Sequence, residues 1–419
     1  MMRKQAKWMA LVAIAPLIAA CGSSNSGAAE DQVTVGSILP MTGEAAFIGE
    51  NVTGAGATLA IDVANKNGGV LNKDVKLVIQ DSQRRTEPAI SGLRALQGKD
   101  VTVGIGPSSA TIPAVINQLK QSDTPWIPVG SSAVLDTGLK SSNVWRNFAS
   151  DTQQMPAMLL AAAEQGGEIG LVFENNASGQ QQATTVNKFA DVVDGITIVD
   201  ELRLAPGQAS YQSEASEFFN NDYDAILWQL TDATAAGFFK SAERLDALSG
   251  QHFIGTDGSV ADSVLTILKP YLGEADFVAV TAAAAGPGRD KFVELYGTEH
   301  DGEEPPVLAD VGYDATTLLL LAVEAAGSQD PEEIAAQVLK VTTGPGTRCT
   351  WFGECAELIR AGEDIDFDGA VNTLAFNDEH NVISPFATIS IGGDGTLSGE
   401  EDIAFTVEQI SSILESAQL

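Results

Sequence analysis

Short, continuously apolar segments alternate with longer helix-like segments over most of the 419-residue chain. The first run opens with an apolar strand at 33–39 and a helix at 50–67, and it keeps this rhythm as far as a strand at 125–129. The alternation starts again with a predicted helix at 152–165 and continues to a strand at 252–255. Apolar strands separated by helices predict parallel sheets that are covered on both faces. Two such runs predict an α/β protein with two lobes, each a doubly wound parallel sheet.

The last third of the chain departs from this rhythm. A strand is predicted at 277–281, followed by long helices at 309–326 and 331–341. The segments 371–376 and 386–391 are short and apolar, and they lie close together in the sequence. That spacing predicts an antiparallel hairpin.

Residues 1–20 have the pattern of a signal peptide, with a basic start and an apolar stretch from Trp8 to Ala20. This stretch is too short to span a bilayer as a permanent helix. It ends in Ala19-Ala20-Cys21, which resembles the bacterial lipobox, in which the cysteine is lipidated and becomes the mature N-terminus. The small and polar residues of 21–31 then predict a flexible tether. An ordinary signal peptide followed by a chance cysteine is the alternative.

The formal net charge is −33, which argues against nucleic acid or an anionic lipid surface as a partner. The sequence contains no Gly-x-Ser-x-Gly elbow, no His-Glu-x-x-His motif and no glycine-rich phosphate loop that ends in lysine. We therefore expect a binding protein rather than an enzyme, with no catalytic residues and no cofactor.

Cys349 and Cys355 are the two cysteines that remain once Cys21 is assigned to lipid. In an oxidising compartment such a pair predicts a small disulfide loop. A metal site is the alternative, although no histidine lies near the pair in the sequence. The run Asp-x-Asp-x-Asp-Gly at 364–369 begins like a calcium loop, but its twelfth position is Ala375 where a bidentate glutamate is needed. We expect no metal at either place.

Two turns that each carry a glycine and a pair of serines follow neighbouring predicted strands, namely Gly106-Pro107-Ser108-Ser109 and Gly130-Ser131-Ser132, and both are called Gly-Ser-Ser turns here. Ser108 and Ser109 precede a predicted helix, and Gly130 and Ser132 occupy the same position after the next strand. Hydroxyls and free backbone N–H groups at a helix N-terminus can hold a carboxylate. Such serines can also act only as helix caps. Because both turns fall at the ends of adjacent strands of a parallel sheet, where α/β folds bind ligands, we favour a binding site.

At these residues the chain resembles the type I solute-binding proteins of ABC importers, the leucine/isoleucine/valine-binding class. The resemblance covers the chain after the signal peptide almost end to end. It rests on four elements in order, which are Val35 to Gly43, Asn65 to Val70, Gly312-Tyr313-Asp314-Ala315, and Phe367-Asp368-Gly369 with Ala375-Phe376-Asn377.

The resemblance implies two lobes joined by three crossovers, with the ligand bound between lobes that close by a hinge motion. It places lobe 1 at 32–150 and 284–345, and lobe 2 at 151–283 and 346–419. The crossovers are then expected near 148–151, 283–287 and 344–346.

The resemblance also assigns roles to single residues. Ser109 (or Ser108) and Ser132 match hydroxyls that hold the α-carboxylate of a bound amino acid. Gly130 matches a backbone contact to the α-ammonium or α-carboxylate of that amino acid. Asp257 matches the acid that pairs with the α-ammonium, although an aspartate before glycine can equally be a turn residue.

Three further positions are expected to shape the side-chain pocket. Phe47 matches an aromatic of that pocket, although it could equally be a core residue. Ser178 stands where relatives often carry tyrosine, and the segment around Thr231 lacks an aromatic found in aliphatic amino-acid binders. The pocket is therefore expected to be more polar or larger than a leucine pocket.

These features together predict a lipid-anchored substrate-binding protein of the periplasm or cell surface. Its ligand is expected to be an amino acid or a similar small solute, and its partner an ABC permease in the membrane. A ligand-sensing receptor subunit on the same fold is the alternative.

Overall fold

The computed structural model describes residues 32–43, 45–208, 210–399 and 403–417. Cys21, the predicted signal peptide and the whole of the predicted tether (21–31) lie outside these residues. The strands, in chain order, are β1 (Val33–Leu39), β2 (Val75–Asp81), β3 (Val103–Ser108), β4 (Trp126–Val129), β5 (Glu168–Glu174), β6 (Thr197–Leu204), β7 (Ala225–Gln229), β8 (His252–Gly255), β9 (Asp276–Ala282), β10 (Thr347–Cys349), β11 (Ile365–Phe367), β12 (Phe386–Ile391), β13 (Leu397–Ser398) and β14 (Ile403–Phe405).

Helices separate the strands. The α-helices are α1 (Ala46–Gly49), α2 (Thr58–Lys66), α3 (Thr86–Gln97), α4 (Ile112–Lys120), α5 (Asp151–Ala163), α6 (Ala177–Ala190), α7 (Gln212–Phe218), α8 (Asp232–Arg244), α9 (Asp262–Leu268), α10 (Arg289–Glu299), α11 (Ala309–Ala326), α12 (Pro331–Val338), α13 (Phe352–Arg360) and α14 (Val407–Ser416). A π-helix (Glu50–Ala57) joins α1 to α2, and short 3-10 helices lie at Ala133–Leu135 and Asp257–Val260. Within the residues described, no helix combines the length and apolarity needed to cross a bilayer.

The predicted α/β fold with two sheet-centred lobes is confirmed. The first sheet is parallel, in the order β2-β1-β3-β4. The second has β13-β12-β9-β8-β7-β5-β6, with β14 also paired to β12. Its strands β5 to β9 are parallel, whereas β12 runs antiparallel to β9 and makes this sheet mixed. Strands such as β1 are buried along their whole length, as expected for sheets covered on both faces.

The predicted hairpin of 371–376 with 386–391 is wrong. Residues 386–391 do form β12, but its antiparallel partners are β9, β13 and β14. In the other segment Leu374 has a left-handed φ of 52°, which interrupts an extended strand. The backbone N–H of Val371 donates to the Asp314 carboxylate instead of to a strand.

The chain between 346 and 382 packs with the first sheet rather than the second. Phe352 and Cys355 on α13 are buried in the same core as α2 and α11, which cover the first sheet. The chain then passes to β12 through 382–385, where Gln153 donates to the Val382 carbonyl and accepts from the Ser384 N–H. We therefore propose that the third crossover lies at 382–385 rather than at the expected 344–346. We propose 32–150 with 284–382 as the first lobe, and 151–283 with 383–419 as the second.

Helix α11 lies at the centre of the first lobe and contacts the π-helix closely. A Cβ on Gly312 would lie 2.1 Å from the carbonyl oxygen of Val52, so only glycine fits this crossing. The adjoining core includes a disulfide between Cys349 and Cys355, whose side chains are both buried. A loop this short is expected to stabilise the fold by about 2 kcal/mol through chain entropy.

Candidate ligand-binding site

Each sheet reverses its strand order at one point. In the first sheet the reversal lies between β1 and β3, and in the second between β5 and β7. Loops diverge at such a point, which leaves a crevice at the carboxyl ends of the parallel strands. Most of the predicted site residues follow the carboxyl ends of these strands or of their neighbours.

The two Gly-Ser-Ser turns of the first lobe do come together. The Ser131 N–H donates to the Ser109 hydroxyl at 3.0 Å. A Cβ on Gly130 would lie 2.3 Å from the same hydroxyl oxygen, so the close approach requires glycine. Ser109 and Ser132 are both half-buried, and Ser132 precedes the 3-10 helix Ala133–Leu135. This edge therefore carries half-buried hydroxyls of a kind that can donate to a carboxylate.

Ser108 occupies a different position from Ser109. It ends β3 with a side chain that is 4% exposed, so it lies beneath the turn rather than on its surface. Its hydroxyl finds no hydrogen-bond partner within the described part of the chain. Of the two serines proposed for the carboxylate contact, Ser109 is the accessible one.

Asp257 lies in the second lobe, directly after β8, and its side chain is exposed. The Gln154 amide on α5 donates to its Oδ1 at 3.3 Å and to the Val280 carbonyl at 2.8 Å. Gln154 thus holds the Asp257 carboxylate near the start of α5, where the chain enters the second lobe. This contact leaves no signal in the sequence, because the two residues are far apart in the chain.

Asp151 is a second acid at the same place, and no sequence motif had indicated it. Its backbone N–H donates to the Ser131 carbonyl at 2.9 Å. Burial raises the pKa of Asp151 to about 6, and the charges of Asp257 and Asp136 act in the same direction. A hydrogen bond with Ser131 and the charge of Arg146 oppose this rise. A cationic group placed between Asp151 and Asp257 would relieve their repulsion.

Thr231 lies at the reversal point of the second sheet, where its hydroxyl donates to Glu174. Glu174 ends β5, is 2% exposed, and also accepts from Thr234 and Asn176. Asn176 in turn caps α6 by accepting from the Gly179 N–H. This buried carboxylate ties the first turns of α6 and α8 together. Glu174 was not predicted from the sequence, although a charged residue at the end of an apolar strand can indicate a functional position.

The two remaining predicted residues, Phe47 and Ser178, lie on helices α1 and α6. Phe47 lies on α1, beyond the carboxyl end of β1, and is 49% exposed. It is therefore not the core residue that the sequence allowed as an alternative. Ser178 lies in the first turn of α6, but its side chain is outside the described residues.

Comparison with known proteins gives the same fold. A leucine-binding protein from Thermotoga maritima superposes with a TM-score of 0.67 and 23% identity, over 88% of this chain and 97% of the other. The Leu/Ile/Val-binding protein BraC3 of Rhizobium johnstonii is 24% identical over 74% of this chain and 84% of its own. The chemotactic signal transduction system substrate-binding protein BasB of Halobacterium salinarum is 22% identical, over 82% and 83%.

The sequence profile of one family settles the relationship. It is described as "Periplasmic binding protein" and matches residues 32–376, which is most of the chain. The match spans the first sheet, the strands that form the centre of the second, and helix α11. The chain therefore belongs to the periplasmic binding protein family.

Proposed function

We propose that this protein binds an amino acid or a similar small solute between its two lobes and delivers it to an ABC permease. The observation that carries the proposal is the meeting of Ser109, Gly130 and Ser131 at the carboxyl ends of β3 and β4, next to the strand-order reversal of the first sheet. The names of the relatives support the ligand class, since BraC3 is a Leu/Ile/Val-binding protein.

The chemistry of the edge fits a zwitterion. Ser109, Ser132 and the adjoining backbone N–H groups are donors suited to an α-carboxylate, which loses its water when the lobes close. Asp257 supplies a negative charge for the α-ammonium from the other lobe. A thermal-shift screen of amino acids, amides and small organic acids would identify the ligand, since saturation at 100 times the dissociation constant adds about 2.7 kcal/mol to stability.

Replacing Asp257 with alanine is expected to weaken binding of that ligand at least about 20-fold. Loss of the charged partner of a desolvated pair costs on the order of 2–5 kcal/mol, or a factor of ten for each 1.4 kcal/mol. Calorimetric titration measures the change directly. Asp276→Ala is the matched control, because Asp276 is an exposed acid at the opposite end of the second sheet. Equal affinity in the two variants would place the ammonium elsewhere or exclude an amino acid.

The lipid anchor on Cys21 is the second part of the proposal. Its support is the sequence Ala19-Ala20-Cys21 and the polar segment that follows. Expressed with its leader in a bacterium, the protein is expected in the membrane fraction, with mass spectrometry showing lipid on Cys21. Cys21→Ala should move to the aqueous fraction. An unmodified wild-type protein in that fraction would remove the anchor from the proposal.

A ligand-sensing role is the second candidate, and one observation favours it. The relative BasB is a substrate-binding protein of a chemotactic signal transduction system. Deleting the gene separates the two roles, using the ligand found in the screen. Loss of uptake of the labelled ligand supports transport, whereas loss of the motile response with uptake intact supports sensing.

A further inference from the structure

Asp151 adjoins the turns that carry the proposed carboxylate contacts. Its backbone N–H donates to the Ser131 carbonyl at 2.9 Å, and the Ser131 side chain acts on its carboxylate as a hydrogen-bond donor. The Ser131 N–H in turn donates to the Ser109 hydroxyl at 3.0 Å. Ser131 is therefore the one residue between Asp151 and the hydroxyl that we propose for the ligand's carboxylate.

Asp151 also lies near the proposed acid of the second lobe. Asp151 and Gln154 are three residues apart in the first turns of α5, so their side chains lie on the same face of the helix. The Gln154 amide donates to Asp257 Oδ1 at 3.3 Å, and the charge of Asp257 acts on Asp151. Neighbouring groups thus lead from Ser109 in the first lobe, past Asp151, to Asp257 in the second.

The charges around Asp151 have a negative surplus. Asp136 and Asp257 repel its carboxylate, whereas Arg146 attracts it. The guanidinium of Arg146 is already paired, since it donates to Asp136 at 2.8 Å. The α6 side chains that line the same opening as Asp151 are uncharged, namely Gln181, Gln182 and Thr185. Burial first, and then this surplus, raise the pKa of Asp151 to about 6.

We infer that Asp151 is a second acid for the ligand's ammonium, and that it gives up its proton when the ligand binds. An ammonium has three N–H donors, so a single cation can donate to both Asp151 and Asp257. Such a cation removes the repulsion between the two carboxylates and favours the charged form of Asp151. The O–H bond of the Asp151 carboxyl then breaks, its proton passes to the buffer, and the ammonium stays protonated.

This inference rests on the proposed function and narrows the ligand class. Two carboxylates that face one space disfavour a solute without a positive charge, because the pair would stay uncompensated. The site should therefore select solutes that carry an ammonium or a similar cation with several N–H donors over neutral amides and simple organic acids.

Binding is expected to weaken as the solution becomes acidic. Above about pH 6 the Asp151 carboxyl is mostly ionised in the free protein, so no proton has to leave. Below that value the protonated form predominates, and each further pH unit lowers the fraction of binding-competent protein about tenfold. The dissociation constant should be about tenfold higher at about pH 5 than at about pH 8.

The test counts protons released on binding. The probe is the standard amino acid that raises the unfolding midpoint most at about pH 8, chosen among those whose side chains do not titrate between about pH 5 and 8. Calorimetric titrations in two buffers of different ionisation enthalpy should show about half a proton released per ligand at about pH 6 and almost none at about pH 8. Asp151→Asn should weaken binding at about pH 8 and remove both the release and the change of affinity with pH. Asp194→Asn, which removes an exposed acid beyond α6, should keep both.

Ser131→Ala is a second variant, and it decides the matter if Asp151→Asn does not fold. The hydrogen bond from the Ser131 side chain lowers the pKa of Asp151, so its loss should raise that pKa. More protons should then be released at about pH 7 than in the wild type. A purely structural role of Ser131 would change the affinity but not the number of protons.

Two results would overturn the inference and leave the proposed function standing. One is binding of the probe to the wild type without proton release at about pH 6. The other is a release that persists in Asp151→Asn or is unchanged in Ser131→Ala, which would assign the proton to another group. If no amino acid shifts the unfolding midpoint, the proposed ligand class fails, and this inference fails with it.

Discussion

Replacing Arg146 with alanine is expected to lower the free energy of unfolding by about 3–5 kcal/mol, the cost of breaking a buried ion pair. The Arg146 side chain is 1% exposed, and its Nη2 donates to Asp136 Oδ1 at 2.8 Å. Its Nη1 also lies 3.4 Å from the carbonyl oxygen of Ser132. Without Arg146, the acids Asp136 and Asp151 lose their shared counter-charge, so the fold is destabilised near the start of α5.

Chemical denaturation of the wild type and the variant measures this change. Lys140→Ala is the control, because Lys140 pairs with Asp378 at the surface of the same lobe and both side chains are largely exposed. That variant should lose far less stability than Arg146→Ala, because solvent and salt screen an exposed ion pair. Adding Asp136→Asn to Arg146→Ala should recover part of the lost stability, since it removes the unpaired charge of Asp136. Similar costs for Arg146→Ala and Lys140→Ala would show that burial adds nothing to the Arg146 pair.

The two lobes could be predicted from the sequence because each strand and helix leaves a local pattern. The predicted strand at 33–39 is β1, and the predicted helix at 309–326 is α11. The Gly-Ser-Ser turns were also predictable, because adjacent parallel strands bring their carboxyl ends to the same edge.

The sequence could not show which of the two lobes the segment 346–382 joins. Residues 346–382 return to the first lobe because Phe352 and Cys355 are buried against α2 and α11. Those partners lie far away in the sequence, and the local periodicity of α13 contains no information about them. The same limit applies to the contact between Gln154 and Asp257, which only the folded chain creates.

Asp314 is a fully buried acid on α11. Its Oδ1 accepts from the Ala370 N–H and its Oδ2 from the Val371 N–H, each at 2.8 Å. Asp314→Ala is expected to destabilise the protein by roughly 2–6 kcal/mol, from about 1–3 kcal/mol for each donor left unsatisfied. Asp330→Ala is the control. Asp330 also accepts two backbone N–H groups but is exposed, so its loss should cost about 1 kcal/mol.

The cost of Asp314→Ala should depend on pH. Burial raises the pKa of Asp314 to about 7, although the two N–H donors act against the rise. In the unfolded chain the pKa of an aspartate is about 3.9, so between about pH 4 and 7 only the folded state holds the proton. The contribution of Asp314 to stability is therefore complete below pH 4 and is lost as the pH rises to about 7. Denaturation should show a larger loss for Asp314→Ala at about pH 5 than at about pH 8. The reverse order would mean that the two N–H groups outweigh burial and keep the carboxylate charged.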